Sequence, residues 1–238
     1  MPKVSIILPT YNGAKYIAHA IESVRQQTYT DYEFLIVNDG STDETESIVQ
    51  KYAQEDSRIH YSKNEKNLRL IRTLNRGLRL AKGDYIARLD DDDQRVDPTK
   101  LAKQVEFLDT HPEYGLVGTS IITVDEKGKE IGKVKSKETD KKIRESLLLY
   151  NQFLHPSVLI RKSVIDRIGR YDEKALHVED YDLWLRMGKV TKMYNLPDFT
   201  TKYMIRSGSI SGKKQRSQKR YTFKTVIKYA EYYPNVIS

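Results

Sequence analysis

"KVSIILPTYNG", residues 3–13, decides the fold: an uncharged run of apolar, β-branched residues stops at a proline and passes into polar turn residues. A strand exposed on one face would alternate apolar with polar side chains, so this run reads as a strand buried on both faces. Directly after it, Ile17, Ala20, Ile21 and Val24 recur at the spacing of an amphipathic helix. The unit then repeats. "YEFLIVND" (32–39) is a second strand ending in "DGSTD", followed by a helix over about 43–54 that Ser41 or Thr42 can cap and whose first turn is acidic. "RIHYS" is a short third strand, and Leu70, Leu74, Leu78 and Ala81 mark one face of the next helix, which ends near Gly83. "DYIARL", a helix from about 98 to 109 and the strand "GLVGTSIITV" complete the series. Such alternation predicts an α/β fold, a mostly parallel sheet with helices on both faces.

Past residue 120 the pattern changes. "VDEKGKEIG" (124–132) reads as a hairpin turning at Lys127-Gly128, and a helix is expected over about 139–150. "HPSVLIRKSV" is a strand entering a short helix, "EDYDLWLRMG" is another short helix, and two strands follow near 190–195 and 199–206. Neither an internal repeat nor a long Pro/Gly/Ser linker interrupts the chain, which predicts one compact domain with a basic C-terminal extension.

Composition narrows the function classes. A chain of 238 residues with 38% hydrophobic and 31% charged side chains is a soluble globular type, and its apolar runs fall far short of the roughly 18–20 residues needed to cross a bilayer. The N-terminus carries no secretory signal pattern, and the lack of cysteine excludes disulfide frameworks, thiolate zinc sites and thiol nucleophiles. A cytoplasmic location is expected, with a peripheral place at the inner face of the membrane as an option. The formal charge is +8, and no acidic residue occurs from Phe199 to Ala230. In that span Lys202, Arg206, Lys213, Lys214, Arg216, Lys219, Arg220, Lys224 and Lys228 interleave with Tyr221, Phe223 and Tyr229. Such a segment suits an anionic partner such as phospholipid head groups or a phosphorylated substrate; a solvated basic helix is the plain reading.

In a parallel sheet ligands bind beyond the carboxyl ends of the strands, where "PTYNG", "NDGSTD" and "DDDD" all fall. No GxGxxG follows the first strand and no GxxxxGK[ST] occurs, so dinucleotide and P-loop readings lose their support. Asp39 can accept from a base N–H or ribose hydroxyls, or serve the turn, and Tyr11 can stack on a base. The run Asp90 to Asp93 is either a solvated acidic turn or a divalent cation site, since Mg²⁺ and Mn²⁺ in phosphate chemistry need only one or two carboxylates beside phosphate oxygens. In an extended segment Asp90 and Asp92 point the same way, leaving Asp91 and Asp93 to support the turn. Glu179 and Asp180 are adjacent, and mutual repulsion can raise a carboxyl pKa and poise a general base; an acidic helix start is the competing reading.

"SIILPTYNG", "FLIVNDGSTDET", "LNRGLRLAKGDYIARLDDDD", "HPSVLIRKSV" and "VEDYDLWLR" occur in the order typical of family 2 glycosyltransferases of the GT-A fold, and the resemblance covers about residues 3–187. It implies a Rossmann-like nucleotide-sugar-binding half over 1–120 and an acceptor and catalytic-base half over 121–210, with residues 211–238 as a basic aromatic helical extension. It also implies an inverting enzyme that uses a nucleotide-diphosphate sugar, with UDP as the family default, and a divalent metal, Mn²⁺ or Mg²⁺. By the same resemblance Pro9, Thr10, Tyr11 and Asp39 line the nucleoside pocket, and Asp90 and Asp92 match the D-x-D motif with Asp92 the direct metal ligand. Asp91 belongs with the donor-binding residues, and Asp180, beside Glu179, is the expected base. The implied acceptor is a hydroxyl on a glycan or lipid-linked saccharide. Two departures stand out. Where relatives have Asn-x-Gly this chain has Asn67-Leu68-Arg69, so that Arg69, or Arg72 one turn on, can reach a diphosphate. Where relatives have Tyr-Arg-x-His it has Tyr203-Met204-Ile205-Arg206, and a cation there suits the diphosphate better than the metal. His155 is open between a role near the site and a buried structural one. The competing readings are a polyprenyl-phosphate sugar synthase, and a non-catalytic sugar-nucleotide or nucleic-acid binder that uses the positive charge.

Overall fold

A computed structural model describes residues 1–206 and 215–233. The first half follows the expected alternation: β1 (Val4–Thr10), α1 (Ile17–Arg25), β2 (Tyr32–Asn38), α2 (Thr45–Glu55), β3 (Ile59–Lys63), α3 (Leu70–Leu80), β4 (Tyr85–Arg88), β5 (Gln94–Arg95), α4 (Lys100–Thr110) and β6 (Tyr114–Val124). The second half adds β7 (Glu130–Val134), α5 (Asp140–Arg144), β8 (Leu159–Arg161), α6 (Lys162–Ile168), α7 (Glu179–Met187), β9 (Lys192–Met204) and α8 (Gln215–Tyr229). One nine-stranded sheet runs in the order β3-β2-β1-β4-β8-β6-β9-β5, with β7 paired to β6. The long ladders β2–β3, β1–β2, β1–β4 and β6–β9 are parallel, and β8, β7 and β5 join antiparallel.

Strand residues alternate between two cores, which is why the strands are apolar throughout. Ile6, Leu8, Phe34, Ile36 and Ala87 pack with Ile17, Ile21, Val49, Leu101 and Val105 of α1, α2 and α4. Ile7, Leu35 and Ile86 face the other way, onto Leu74 and Leu78 of α3 and Leu183 and Trp184 of α7. Each fully buried Leu or Ile contributes roughly 1.5–3 kcal/mol, so shifting one strand by a residue would exchange its two faces between the cores.

Two features of β1 open the site. Its neighbours β2 and β4 lie on opposite sides, so the connections leave in opposite directions and create a crevice at the carboxyl ends. The ladder to β4 ends at Ile7–Arg88, so Pro9, which has no N–H, pairs only with Val37 of β2. Beyond that point β4 departs into the four aspartates.

Four sequence expectations are corrected. The helix expected over 139–150 ends at Arg144, whose guanidinium binds the carbonyls of Gly188 (2.5 Å) and Thr191 (2.8 Å); residues 145–149 form turns, and the Leu147 carbonyl accepts from the Tyr181 hydroxyl. The strands at 190–195 and 199–206 are the single strand β9, in which a register shift opposite Thr119 and Ser120 accommodates Pro197. Neither Ser41 nor Thr42 caps α2; Asp43 accepts from the Thr45 N–H instead. The aspartate run is a turn and not an extended segment, with the Asp93 N–H donating to the Asp90 carbonyl at 3.3 Å. Lys213 and Lys214 of the basic segment lie outside the described residues.

Candidate active site

Hydrogen bonds lace the first two loops together. The Asn12 N–H donates to Ser41 Oγ, the Gly13 N–H to Thr45 Oγ1, the Ala14 N–H to Asp43 Oδ2, and Asn12 Oδ1 accepts from the Thr42 N–H. Pro9 and Thr10 are buried at the rim, and the Tyr11 ring stands 48% exposed above it, free to stack on a planar ligand. Gly13 is required: a Cβ there would meet Asp91 Oδ2 at 2.3 Å.

Asp39 is buried and clamps a third loop. Its Oδ1 accepts from Asn64 Nδ2 (2.7 Å) and the Leu68 N–H (2.8 Å), and its Oδ2 accepts from the Arg69 N–H (2.9 Å). A carboxylate has about four acceptor positions, so one remains for a base N–H or ribose hydroxyl. The clamp holds Arg69 at φ 70°, a positive-φ conformation that glycine would occupy without strain. The Arg69 side chain projects into solvent, whereas Arg72 is ion-paired to Glu173 at 2.8 Å.

The aspartate turn sends its four carboxylates to four different partners, which relieves the repulsion of charges adjacent in sequence. Asp90 accepts from Arg88 Nη2 at 2.5 Å, and Asp91 from Thr10 Oγ1 at 2.6 Å. Asp92 lies 2.6 Å from Arg206 Nε, and Asp93 accepts from the Met204 N–H at 2.9 Å. Burial raises the carboxyl pKa of Asp91 to about 7 and that of Asp93 well above the usual range. Arg206, expected at the diphosphate, thus contacts a proposed metal ligand, with its guanidinium 5.4 Å from the centre of the Tyr16 ring.

Do these residues fit a divalent cation? Among the described residues no group of three or more His, Asp or Glu side chains is assembled to hold one unaided. Asp90 and Asp92 retain 30% and 13% side-chain exposure, Asp93 has a buried Oδ2 without a partner, and paired carboxylates completed by substrate phosphate are the hard-oxygen set that Mg²⁺ and Mn²⁺ accept. The chemistry fits once Arg206 yields Asp92 and a diphosphate completes the shell.

The second acidic pair opens α7. Asp180 accepts from Asn151 Nδ2 (2.9 Å) and from the Tyr181 N–H (2.7 Å), while Glu179 is buried beside it. Burial lifts Asp180 to about 6, and burial with the charge of Asp180 lifts Glu179 to about 7. The helix-start reading holds as well, and the two are compatible: the helix dipole stabilises the anion while burial keeps it basic.

Arg88 is the residue that sequence reasoning missed. It is 2% exposed, it bonds Asp90, and among the described residues its Nε and Nη1 have no hydrogen-bond partner. Its charge also lowers the pKa of Glu179, Asp180 and His155, so both acidic clusters are within its electrostatic reach. The available signal was a lone arginine in the otherwise uncharged "YIARL". His155 is structural: buried and held neutral, it bonds the Tyr171 hydroxyl at 2.7 Å and meets Trp184 edge-on. Among the described residues, the non-glycine positive-φ positions are Asn12, Arg69 and His177, one in each of three loops around the site. Strain of about 1–3 kcal/mol per residue persists where surrounding structure enforces it, as at ligand clamps.

Comparison with known proteins identifies the family and the fold. A family model described as Glycosyl transferase family 2 matches residues 5–169. An uncharacterized glycosyltransferase of Methanocaldococcus jannaschii is 33% identical over 98% of this chain and 82% of its own length. The amylovoran biosynthesis glycosyltransferase AmsE of Erwinia amylovora is 34% identical over 89% of this chain and 79% of its own. Among solved structures, a TarS fragment from S. aureus in complex with UDP superposes with TM-score 0.74 at 22% identity, covering 95% of this chain and 66% of that one. The mannosyltransferase PcManGT from Pyrobaculum calidifontis, in complex with GDP-Man and Mn²⁺, gives 0.76 at 18% identity, covering 99% and 68%. These two likenesses establish a shared fold.

Proposed function

The chain belongs to glycosyl transferase family 2, and on that premise we propose that it is a metal-dependent, inverting transferase moving a sugar from a nucleotide diphosphate, UDP by default, to a hydroxyl of a glycan or lipid-linked saccharide. The observation that carries this reading is Arg88, a buried cation that bonds Asp90 and whose charge is felt at Glu179 and Asp180, which supports one centre served by both acidic pairs. Tyr11 stacks on the base of the donor, and Pro9, Thr10 and the remaining acceptor position of Asp39 fix its nucleoside. The exposed guanidinium of Arg69, and Arg206 once it leaves Asp92, offset charge on the diphosphate; Arg72 is drawn away by Glu173. Asp92 with Asp90 would hold Mn²⁺ or Mg²⁺, which supplies Lewis-acid stabilisation of the leaving diphosphate. Asp180 takes the proton of the acceptor hydroxyl as its oxygen attacks the anomeric carbon on the face opposite the diphosphate. The new C–O bond forms as the bond to phosphate breaks, and configuration inverts. Asn151 holds the Asp180 carboxylate in place for that step.

The acceptor's surroundings bear on the rest. AmsE is by name a glycosyltransferase of amylovoran biosynthesis, which supports a glycan acceptor here. No helix among the described residues is long and apolar enough to cross a membrane. The outward face of α8, with Lys219, Arg220 and Lys224 beside exposed Phe223 and Ile227, supports peripheral contact with an anionic bilayer.

Thermal-shift titration with UDP, GDP and their sugars, with and without Mn²⁺, tests the reading. A nucleotide at about 100 times its Kd stabilises by about 2.7 kcal/mol, roughly 5–10 °C for a chain of this size. The expected result is a shift of that order with one nucleotide family that grows with Mn²⁺; no shift with any of them would contradict it.

A further inference from the structure

Between the β6–β7 hairpin, the 150–154 segment and the end of β9 lies a groove of about 320 Å³ that none of the donor-side residues lines. Val134, Tyr150 and Ile205 form apolar walls while remaining 45%, 53% and 51% exposed. Scattered exposed apolar side chains are ordinary; here three converge on one concavity. Lys135 and Lys137 stand on the same lining, with Lys137 Nζ 5.6 Å from the centre of the Tyr150 ring. Asn151 also lines the groove, and its amide donates to Asp180 at 2.9 Å. Ile205 directly precedes Arg206, which contacts Asp92. The groove therefore reaches both the base and the edge of the donor site.

A sugar suits this surface poorly, because hydroxyls set against apolar walls lose water without gaining partners. A hydrocarbon gains roughly 25 cal/mol for each Å² it buries there, and two ammonium groups beside it favour an adjacent anion. Resting on the assignment of Asp180 as base, we propose that this groove is the aglycone subsite of the acceptor, and that the acceptor is a saccharide carried on a hydrocarbon phosphate or diphosphate. The saccharide hydroxyl meets Asp180, the phosphate meets Lys135 and Lys137, and the hydrocarbon nearest the phosphate lies against Val134, Tyr150 and Ile205. The volume is at the lower end of small-molecule sites, so a long tail continues out of the groove.

Farnesyl phosphate, farnesol and inorganic phosphate, each titrated by calorimetry, test this on the whole chain, on Val134→Asp and on the double variant Lys135→Ala/Lys137→Ala. All three side-chain positions are surface sites whose replacement spares the core, and UDP and GDP binding in Mn²⁺ is measured on the same samples. Farnesyl phosphate is expected to bind the wild type at least tenfold more tightly than farnesol or phosphate alone. Each variant should weaken it at least tenfold and leave nucleotide binding unchanged. Farnesyl phosphate binding that is absent from the wild type, or equal in Val134→Asp as for adsorption to a micelle, overturns the groove assignment while the transferase reading stands. A wild type that binds neither nucleotide overturns both.

Discussion

Arg69 shows how one residue can work against the fold and for the ligand. Its backbone, at φ 70° and ψ 163°, lies in a region open essentially only to glycine and costs an L-residue about 1–3 kcal/mol, enforced by the two N–H bonds to Asp39. Arg69→Gly removes that strain but adds about 0.5–1 kcal/mol of unfolded-chain entropy. The net expectation is a gain of up to about 2 kcal/mol in denaturant unfolding, together with a several-fold loss of nucleotide-diphosphate affinity. A stability gain without that loss would remove Arg69 from the diphosphate site. Arg206 poses a competition instead. The Arg206–Asp92 pair is partly buried, with side-chain exposures of 33% and 13%, so removing the arginine frees a carboxylate that already lacks much of its water. Arg206→Ala is therefore expected to tighten Mn²⁺ binding several-fold, read by paramagnetic resonance of the free ion; unchanged affinity would show that the two cations do not share Asp92.

At the scale of elements, α8 is fastened to α7 through a polar knot. Asp182 is 1% exposed and accepts from Arg186 Nε (2.8 Å), the Tyr229 hydroxyl (2.9 Å) and Lys228 Nζ (3.3 Å). Asp182→Ala leaves those donors uncompensated and is expected to cost about 3 kcal/mol. Hydrogen exchange should quicken in α8 well before it does in α4; uniform quickening would mean that α8 is not separately anchored. The elements themselves were largely legible in the sequence, because strands buried on two faces are uncharged and the helices between them carry a clear stripe. Less legible was whatever tertiary partners decide. The apolar spacing of Ile143 and Leu147 suggests a longer α5, yet Arg144 and Tyr181 hold that segment in turns. Pro197 suggests a break in β9, yet a register shift absorbs it. The motifs disclosed most of the candidate site, but not that Asp90 to Asp93 diverge to four partners, nor that the charge of a buried Arg88 is felt at both acidic clusters.

In the whole molecule one sheet carries both halves of the proposed site, with the loops proposed to bind the nucleoside at the ends of β1 and β2 and the proposed base on α7 behind β4 and β8. This arrangement makes transfer sensitive to pH. The Glu179–Asp180 pair titrates between about 6 and about 7, above the ordinary carboxylate range. A base must be ionised, so the rate should be flat above that window and fall as pH drops through it. Arg88 lowers both pKa values, so in Arg88→Lys, which keeps the charge, the acid limb should stay in place, and in folded Arg88→Met it should move to higher pH. An unmoved limb in Arg88→Met would uncouple Arg88 from the base. The most direct test of the central claim is Asp180→Asn, assayed for sugar transfer and for donor binding on one preparation. General-base loss should lower transfer about 10²–10⁴-fold while the nucleotide-sugar Kd stays within about twofold. Transfer at the wild-type rate would show that Asp180 is not the base.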